Sequence, residues 1–322
     1  MTALYITIDT EYSFGMARGM NGGGQAVNYA SAIAGQTPDG PLGIHYQMDI
    51  FDRHGLKAVF FVDPMPALIW GTAAIAQIVQ PIIARGHDVQ LHLHTEWLAL
   101  AGSAGPLGGK TGANLRDFSR AEQTGLISYA RGVLIAAGAP APTAFRAGNY
   151  GANDDTLRAL AALGIEYDTS HCPGIAGSEC RITLGPDDRA VRRHCGTIEV
   201  PIGSIAGRGG ALRHFQLTAL TAREVLAALR HAVKTRQPQV TLVSHSFELL
   251  ARDRLRANRV LRRRFEALCA GLARMPGLTT ATYAAQPPQI EPFRPAPLPH
   301  SQLRTLHRYA EQALANVLYG AR

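Results

Sequence analysis

The sequence predicts an α/β fold in which helices cover the outside of a largely parallel sheet. Short β-rich segments alternate with longer helical segments over most of the 322 residues, and this alternation is typical of parallel sheets. Seven or eight strands are expected, which favours a (β/α) barrel over an open, doubly wound sheet. In both architectures, functional residues collect where strands end and the following loops begin.

Eight segments have the β-branched and alternating composition of strands. They are Leu4–Asp9, Lys57–Val62, Asp88–His94, Thr143–Arg146, Ile165–Asp168, Thr197–Val200, Val240–His245 and Thr279–Tyr283.

Helix starts stand between these strands. Ser119 with Glu122, and Thr221 with Glu224, have the spacing of a capping box. Asn153 precedes an acidic first turn in a segment that ends at Gly164, a residue suited to the end of a helix.

Three segments fall outside this repeat. Residues 13–43 form a long, glycine-rich connection that we expect to be a loop over the site, because the phosphate-binding glycine motifs are absent from it. The other two segments lie at the C-terminal end: residues 286–300 are predicted to be a proline-rich, extended linker, and 301–322 a C-terminal helical extension. Residues 1–285 are predicted to be the functional domain.

The last helix, expected from Gln302 to Tyr319, carries an apolar stripe on one face. We expect this stripe to dock on the body of the protein or on a second subunit, which would make a homodimer, in preference to a membrane surface. The stripe consists of Leu303, Leu306, Ala310, Ala313, Leu314 and Val317.

Composition narrows the class of protein. A hydrophobic content of 46% with 17% charged residues is typical of a globular protein with a substantial core. The four cysteines form no CxxC pair and are expected to be reduced and structural. No stretch approaches the roughly 18 to 20 continuous apolar residues of a membrane span, and the first residues enter a strand pattern at once, so the expected location is cytoplasmic.

The formal net charge of +8 permits an anionic partner without requiring one. Seven arginines occur between residues 251 and 271, a segment predicted to be helical. A nucleic-acid surface is one interpretation of this segment. The apolar face of Leu261, Phe265, Leu268 and Leu272 and the lack of stacking aromatics favour a solvated helix, or one that faces an anionic lipid carrier, so no nucleic-acid partner is expected.

The segment GHDVQLHLHTEW, residues 86–97, raises the question of a metal site. Residues i and i+2 of a strand point to the same face, so His92 and His94 project together. Asp9 and Glu11 have the same relation at the end of the first strand. A single HxH is more often structural than metal-binding. Its combination with Glu11 at a second strand end favours a three-ligand site that leaves one position open, as in catalytic zinc centres.

Further polar residues stand where later strands should end. They are Arg146 in AFRAGNYG, Asp168 in IEYDTSH and His245 in TLVSHSFE. Each has an ordinary structural explanation. Their shared position at strand ends indicates instead that all three line one mouth of the sheet.

In these motifs the chain resembles the polysaccharide deacetylase family, the carbohydrate esterases with a NodB homology domain. TIDTE, GHDVQLHLHTEW, FRAGNYG, YDTS and LVSH follow the order of the family's motifs over residues 1–285. The resemblance implies a distorted (β/α) barrel and metal-dependent hydrolysis of an N-acyl, sometimes O-acyl, group on a sugar. It also implies a divalent metal, usually zinc, held by Glu11, His92 and His94.

The resemblance also implies catalytic roles. Asp9 would be the general base and His245 the general acid that protonates the leaving amine. Arg146 would hold Asp9 in place, and Asp168 would orient His245. The backbone N–H near Tyr150 would stabilise the tetrahedral oxyanion.

The sequence departs from the family pattern at three points. Thr10 separates the two acids of the first motif, which are adjacent in the family. The family's second histidine falls at Glu96 here, so either His94 or Glu96 completes the metal shell. Tyr150 lies one residue farther from Arg146 than is usual. A divergent branch with its own substrate is expected.

The expected substrate is an N-acylated sugar or glycan precursor, such as a lipid-linked sugar at the inner membrane surface, with the protein peripheral to that membrane. Two alternatives stay open. One is an amidohydrolase of the same fold that acts on a small non-sugar amide. The other is a non-catalytic protein that binds a carbohydrate or an anionic ligand.

Overall fold

The computed structural model describes residues 1–320 and contains thirteen strands. They are β1 Thr2–Thr10, β2 Gln36–Thr37, β3 Gly40–Pro41, β4 Val59–Val62, β5 Asp88–Leu93, β6 Ala144–Ala147, β7 Tyr167–Asp168, β8 Arg192–His194, β9 Thr197–Glu199, β10 Ser204–Ala206, β11 Leu212–His214, β12 Gln239–His245 and β13 Leu278–Thr280. The main sheet has the order β12-β1-β4-β5-β6-β7-β9-β8, with β13 beside the start of β1. All its pairings are parallel except that of β8 with β9. The sheet curls into a half-barrel, which confirms the predicted fold class.

All eight predicted strands are present, with boundaries shifted by at most three residues. β8 was not predicted, because its sequence, Arg192–His194, is polar and largely exposed. The two small hairpins, β2–β3 and β10–β11, were also missed. Their strands of two or three residues are too short to show an alternating pattern.

Ten α-helices connect or flank the strands. They are α1 Phe14–Gly19, α2 Gln25–Asn28, α3 Ile44–Arg53, α4 Ala67–Ala84, α5 Leu98–Ala101, α6 Arg120–Ala136, α7 Asp154–Ala162, α8 Ala222–Lys234, α9 Arg259–Leu272 and α10 Gln302–Tyr319. The capping boxes at Ser119 and Thr221 are confirmed, and Asn153 caps α7.

Alternation along β1 separates two cores. Leu4 and Ile8 pack outward into the large core shared with the surrounding helices. Tyr5 belongs to a smaller cluster inside the half-barrel, together with Phe61 of β4. Because side chains alternate along a strand, Asp9 shares the inner face with Tyr5. The polar end of β1 therefore opens into the barrel interior.

The predicted proline-rich linker is packed along the body rather than free. Gln289 exchanges two hydrogen bonds with Gln239 at the start of β12, at 2.9 and 2.5 Å. The backbone N–H of Glu291 donates to the carbonyl of Val191, next to β8, at 2.9 Å. Residues 286–300, called the strap below, thus join the two edges at which the half-barrel is open.

The helix α10 docks on the body, but through the face opposite to the predicted one. Its Arg308 forms a buried ion pair with Glu224 of α8, and its Glu311 lies 2.6 Å from Arg264 of α9. These buried charges require partners, so the polar face turns inward. The apolar stripe does not dock on the body, since Val317, for example, is 83% exposed. Docking on a second subunit, the other alternative, stays a prediction.

Residues 13–43 are more ordered than the predicted loop. They form α1, α2, a π-helical turn over Tyr29–Ile33 and the β2–β3 hairpin. The hydroxyl of Ser246, just after β12, donates to the carbonyl of Ala32 at 2.7 Å. The segment therefore packs at the same end of the sheet as the predicted site.

The helix α4 is long and apolar enough to cross a membrane by length and composition alone. Core helices meet the same test, and Ile75, Ile78 and Ile82 of α4 are buried in the large core. A break at Gly71, where φ is 73°, divides the helix near its start.

Candidate active site

The ends of β1, β5, β6 and β12 converge on one cavity. Asp9 and His245 occupy paired positions of β1 and β12, while His92 is paired with Arg146 across β5 and β6. The cavity has a volume of about 140 Å³. Its lining includes Asp9, Glu11, His92, His94, Tyr150, His214, Gln216 and His245.

The three predicted metal ligands, Glu11, His92 and His94, come together in this cavity. One carboxylate oxygen of Glu11 lies 3.3 Å from Nε2 of His92 and 2.6 Å from Nε2 of His94. Potential ligand atoms of all three residues lie within 4.8 Å of one another. Two imidazoles and one carboxylate form a donor set that suits zinc.

Each of the two imidazoles is oriented by a hydrogen bond at its Nδ1 atom. Nδ1 of His92 lies 2.8 Å from the carbonyl of Arg146, and Nδ1 of His94 lies 3.0 Å from Glu96. In these hydrogen bonds Nδ1–H donates, so Nε2 is left for a ligand in the cavity. Glu96 therefore supports His94 from outside the group, and His94 is the residue that faces Glu11.

These residues fit a divalent metal. The Oε2 atom of Glu11 is buried and accepts no hydrogen bond among the described residues, although both imidazoles face it. Burial opposes a charge on His94, but the nearby Glu11 and Glu96 raise its pKa well above the usual value. The same carboxylates that favour a proton on His94 would favour a bound cation in its place.

Gly148 makes close packing against His94 feasible. A Cβ atom at this position would lie 2.6 Å from the imidazole ring, a separation that real contacts do not show. The glycine of AGN therefore permits the ring to reach Glu11.

Asp9 is held by a buried arginine, as the resemblance implied. Nη1 of Arg146 pairs with one oxygen of Asp9, and Nη2 donates to the hydroxyl of Thr7 at 2.9 Å. The guanidinium also lies over the ring of Phe61, 4.4 Å from its centroid. The other oxygen of Asp9 is left towards the cavity, 4.0 Å from Nε2 of His245.

The carboxylate that orients His245 is Glu248. Its Oε1 atom lies 3.0 Å from Nδ1 of His245. Burial alone would lower the pKa of His245, but Glu248, with Asp9 and Glu11, raises it to about 9. The imidazole is therefore protonated at neutral pH and can donate a proton.

The predicted contact between Asp168 and His245 is wrong. The backbone N–H and hydroxyl of Ser170 donate to Asp168 at 2.9 and 2.8 Å. Across the β7–β9 pair lies Glu199, which is fully buried. Burial and the nearby Asp168 raise the pKa of Glu199 well above its usual value, so this acid stays protonated beside Asp168. The local turn and the neighbouring strand thus engage Asp168 away from His245.

Tyr150 lines the cavity opposite the histidines. Both Asn149 and Tyr150 have left-handed backbone conformations, with φ of 55° and 56°. Such strain in non-glycine residues is frequent at functional sites. The Tyr150 hydroxyl lies 3.2 Å from Nε2 of His214. Burial raises the pKa of Tyr150 and lowers that of His214 to about 4, so both groups are neutral at pH 7.

Asp63 was missed, although it directly follows β4 and strand ends were the places to inspect. It is fully buried, and its Oδ2 atom has no hydrogen-bond partner among the described residues. Burial raises the pKa of Asp63 to about 6, against the influence of His94 and His92. Glu248 was missed for a different reason, since it lies in a turn three residues beyond the end of β12.

A second group of potential ligands occurs elsewhere. Asp154, His194 and Cys195 also bring three such atoms within 4.8 Å. The backbone N–H and hydroxyl of Thr183 already donate to Asp154. The four cysteines are free thiols.

Comparisons with known proteins show the fold. No family model and no curated protein match the sequence. A protein from Mycobacterium smegmatis described as a polysaccharide deacetylase is similar over 88% of this chain and 87% of its own, with a TM-score of 0.55 and 15% identity. Another so described, from Pseudomonas aeruginosa, is similar over 89% and 93%, with a TM-score of 0.52 and 12% identity.

The same fold also occurs in an enzyme with a different description. A 4-alpha-glucanotransferase from Thermococcus litoralis is similar over 88% of this chain and 39% of its own, with a TM-score of 0.52 and 12% identity. The chain therefore has the NodB-like half-barrel that polysaccharide deacetylases share, and its function must be argued from the site.

Proposed function

We propose that the protein is a metal-dependent hydrolase of a divergent polysaccharide deacetylase branch, and that it removes an N-acyl group, in the first instance acetyl, from a sugar. The observation that carries this proposal is the arrangement of Glu11, His92 and His94 between two further groups. One is the Asp9–Arg146 ion pair, and the other is the His245–Glu248 pair. The half-barrel shared with proteins described as polysaccharide deacetylases supports it.

Glu11, His92 and His94 would hold the metal, which we propose to be zinc. When bound, a divalent metal supplies a water of lowered pKa and an electrostatic partner for the developing oxyanion. Arg146 and Glu96 set the orientation of the two imidazoles through their Nδ1 atoms. Loss of such supporting partners typically weakens metal binding 10- to 100-fold.

Asp9 and His245 each carry out one of the two proton transfers of the proposed reaction. The free oxygen of Asp9 accepts a proton from the attacking water, while Arg146 fixes the other oxygen. His245, protonated through its pairing with Glu248, gives a proton to the leaving amine. Tyr150 and Asn149 also line the cavity, and we propose that the acyl group lies against them.

For the wider setting we propose a glycan precursor, in particular a lipid-linked sugar handled at the cytoplasmic membrane surface. The exposed stripe of α10, with Leu303 81% exposed, supports contact with an apolar surface or with a second copy of the chain. A small non-sugar amide is the alternative substrate. We favour catalysis over a purely binding role, because Asp9, His245 and the Glu11–His92–His94 group lie around one cavity, as a base, an acid and metal ligands would.

The test is metal analysis combined with acetate release from a panel of N-acetylated sugars. Wild type should contain or take up about one equivalent of metal at this group and release acetate. Asp9→Asn should retain the metal but lose activity by roughly 10²- to 10⁴-fold. His92→Ala should lose both, while His300→Ala, an exposed histidine of the strap, should change neither. Equal activity in all four proteins, or a wild type unable to bind metal, would contradict the proposal.

A further inference from the structure

A larger cavity adjoins the candidate active site. It has a volume of about 730 Å³, and His245, Gln216 and Glu248 stand on its inner wall. The loop after β12 and the last turns of α10, with Asn316 and Tyr319, form the other walls. His245 and Gln216 also line the smaller cavity, so the two spaces meet at these residues. A ligand larger than one acylated sugar can therefore extend from the catalytic group into this space.

Arg254 lies in this cavity without an acidic partner. Its guanidinium stacks on Phe247, 3.9 Å from the ring centroid, and Phe247 stacks in turn near His245, with 5.3 Å between ring centroids. The Nη1 atom is buried and has no hydrogen-bond partner within residues 1–320. A buried guanidinium N–H that donates to nothing costs free energy, so a ligand that accepts its hydrogen bond is expected.

The backbone at Arg254 is also strained. Its φ of 57° lies in the left-handed region, which favours glycine or asparagine. The Arg254 side chain stacks on Phe247, whereas the neighbouring Arg256 pairs with Asp253 at 3.0 Å. The strain thus accompanies the one arginine of this loop that stacks over Phe247 beside the catalytic histidine.

The acidic residues of this cavity are already engaged. Glu248 accepts from His245, Gln216 and Ser244, and the lining residue Arg264 pairs with Glu311. Arg252 and Arg254 have no carboxylate within 4.0 Å among the described residues, so their charges dominate the space. A positive, partly desolvated cavity next to a sugar-processing site selects an anion, and guanidinium binds phosphate or carboxylate in bidentate fashion.

We propose that this cavity is a subsite for an anionic group of the substrate, a phosphate or a carboxylate, held by Arg254. The proposal rests on the deacetylase function above and specifies its substrate class as an anionic N-acylated sugar. Asn316 and Tyr319 offer polar groups for the sugar hydroxyls. A neutral chitin-like oligomer would leave the guanidinium without a partner.

Binding to metal-free protein tests this directly, because the phosphate group then has no metal ion to bind. The probes are N-acetylglucosamine 1-phosphate, N-acetylglucosamine and inorganic phosphate, measured by calorimetry. Wild type should bind the phosphorylated sugar at least tenfold more tightly than the neutral one, and Arg254→Gln should abolish that difference. Arg254→Lys should keep part of it, and Arg256→Gln, on the same loop, should keep all of it. Equal affinity of wild type for both sugars would overturn the subsite.

Activity of the metal-loaded enzyme separates the subsite from the chemistry. With the phosphorylated sugar, Arg254→Gln should raise KM about tenfold with little change in kcat, and should leave KM for neutral sugars unchanged. An unaltered melting temperature shows that the variant folds. If no sugar releases acetate while Arg254 still confers phosphate binding, the proposed function fails and the subsite stands. If neutral and anionic sugars react equally in wild type and variant, the subsite fails and the function stands.

A comparison of two substrate sources completes the test. Vesicles that carry a lipid-linked N-acetylated sugar phosphate are compared with the free sugar phosphate at equal concentration. Dependence on Arg254 for both supports recognition of the shared anion. If neither the lipid-linked nor the free sugar phosphate depends on Arg254, the proposal is overturned.

Discussion

His245 stands between two carboxylates with different tasks. Glu248 faces Nδ1 at 3.0 Å, while Asp9 lies 4.0 Å from Nε2 on the cavity side. A proton on Nε2 therefore points at the space where a leaving group would form. The assignment of His245 as acid depends on Glu248, a residue that no motif indicated.

The pH dependence of catalysis should reveal this pairing. With its pKa raised to about 9, His245 is protonated at lower pH and loses the proton as pH rises through that value. The rate constant kcat should therefore fall above about pH 9. Glu248→Gln removes the negative charge, so the fall should begin at least about one pH unit lower. Glu179→Gln, an exposed carboxylate elsewhere, is the control. An alkaline limb that Glu248→Gln leaves in place would refute the assignment.

The metal affinities of His94 and Glu96 variants should show which of these two residues is the third metal ligand. If His94 is a ligand and Glu96 only its support, His94→Ala should abolish stoichiometric binding, and Glu96→Gln should weaken it roughly 10- to 100-fold. Competition with a coloured chelator measures both affinities. The reverse order would make Glu96 the ligand and His94 dispensable.

The sequence located most of the site because strand periodicity determines which side chains share a face. His92 and His94 were predicted in this way, and Arg146 and His245 from their positions at strand ends. His92, His94 and His245 line the cavity, and Arg146 is buried beside it, paired with Asp9. The carboxylate contacts could not be found in the same way, since they depend on turns. Asp168 bends to Ser170, and Glu248 reaches His245 through a local turn.

At the level of elements, the parallel strands were predictable and the C-terminal segments were not. The strands carry apolar runs that only a buried sheet explains. The strap has no such pattern, because hydrogen bonds of its backbone hold it to Gln239 and Val191, and such bonds leave no periodic pattern of side chains. The helix α10 misled the prediction, because amphipathicity alone does not reveal that Glu224 and Arg264 need charged partners.

Docking of the strap should weaken as pH rises. Burial raises the pKa of Glu291 to about 7, above the value of about 4.3 expected in the unfolded chain. The folded state thus binds this proton more tightly, so the contribution to stability is complete below about pH 4 and is lost as pH rises through 7. Melting temperatures at pH 5 and pH 8 should differ less in Glu291→Gln than in wild type. Glu166→Gln, an exposed position, should behave like wild type, and an identical pH dependence in all three proteins would count against the strap's role.

The buried ion pair between Arg308 of α10 and Glu224 of α8 should contribute to stability, because each buried charge needs the other. Arg308→Ala leaves Glu224 without its cation and should cost up to about 3–5 kcal/mol in urea unfolding. The double variant Glu224→Gln with Arg308→Leu removes both charges and keeps a capping-box residue beside Thr221. It should be more stable than the single variant. A single variant as stable as wild type would show that the pair contributes nothing.

For the whole molecule, the half-barrel is completed by the chain that follows it. The strap bridges the open edges of the sheet, and α10 neutralises charges buried on α8 and α9. Residues 1–285 therefore contain the candidate catalytic groups but not all the contacts that hold their scaffold. The boundary at 285 stays a prediction, and these contacts across it make it one that truncation can test.

Truncation tests this dependence. A chain of residues 1–285 should melt roughly 10 °C or more below the full-length protein, or aggregate, because open strand edges and unpaired charges become exposed. A chain of residues 1–300 should recover part of the loss, since it retains the strap. Equal melting temperatures for the three chains would support the predicted independent domain.

The backbone ladder between β1 and β12 places Asp9 directly opposite His245. A slip of one residue in this ladder would turn His245 to the far face of the sheet, although almost every hydrogen bond could re-form. The proposed hydrolytic activity would then be a sensitive measure of correct strand alignment during refolding. Protein refolded from urea should regain far-ultraviolet circular dichroism and activity together if alignment is set early. A population with full dichroism but little activity would consist of misaligned sheets.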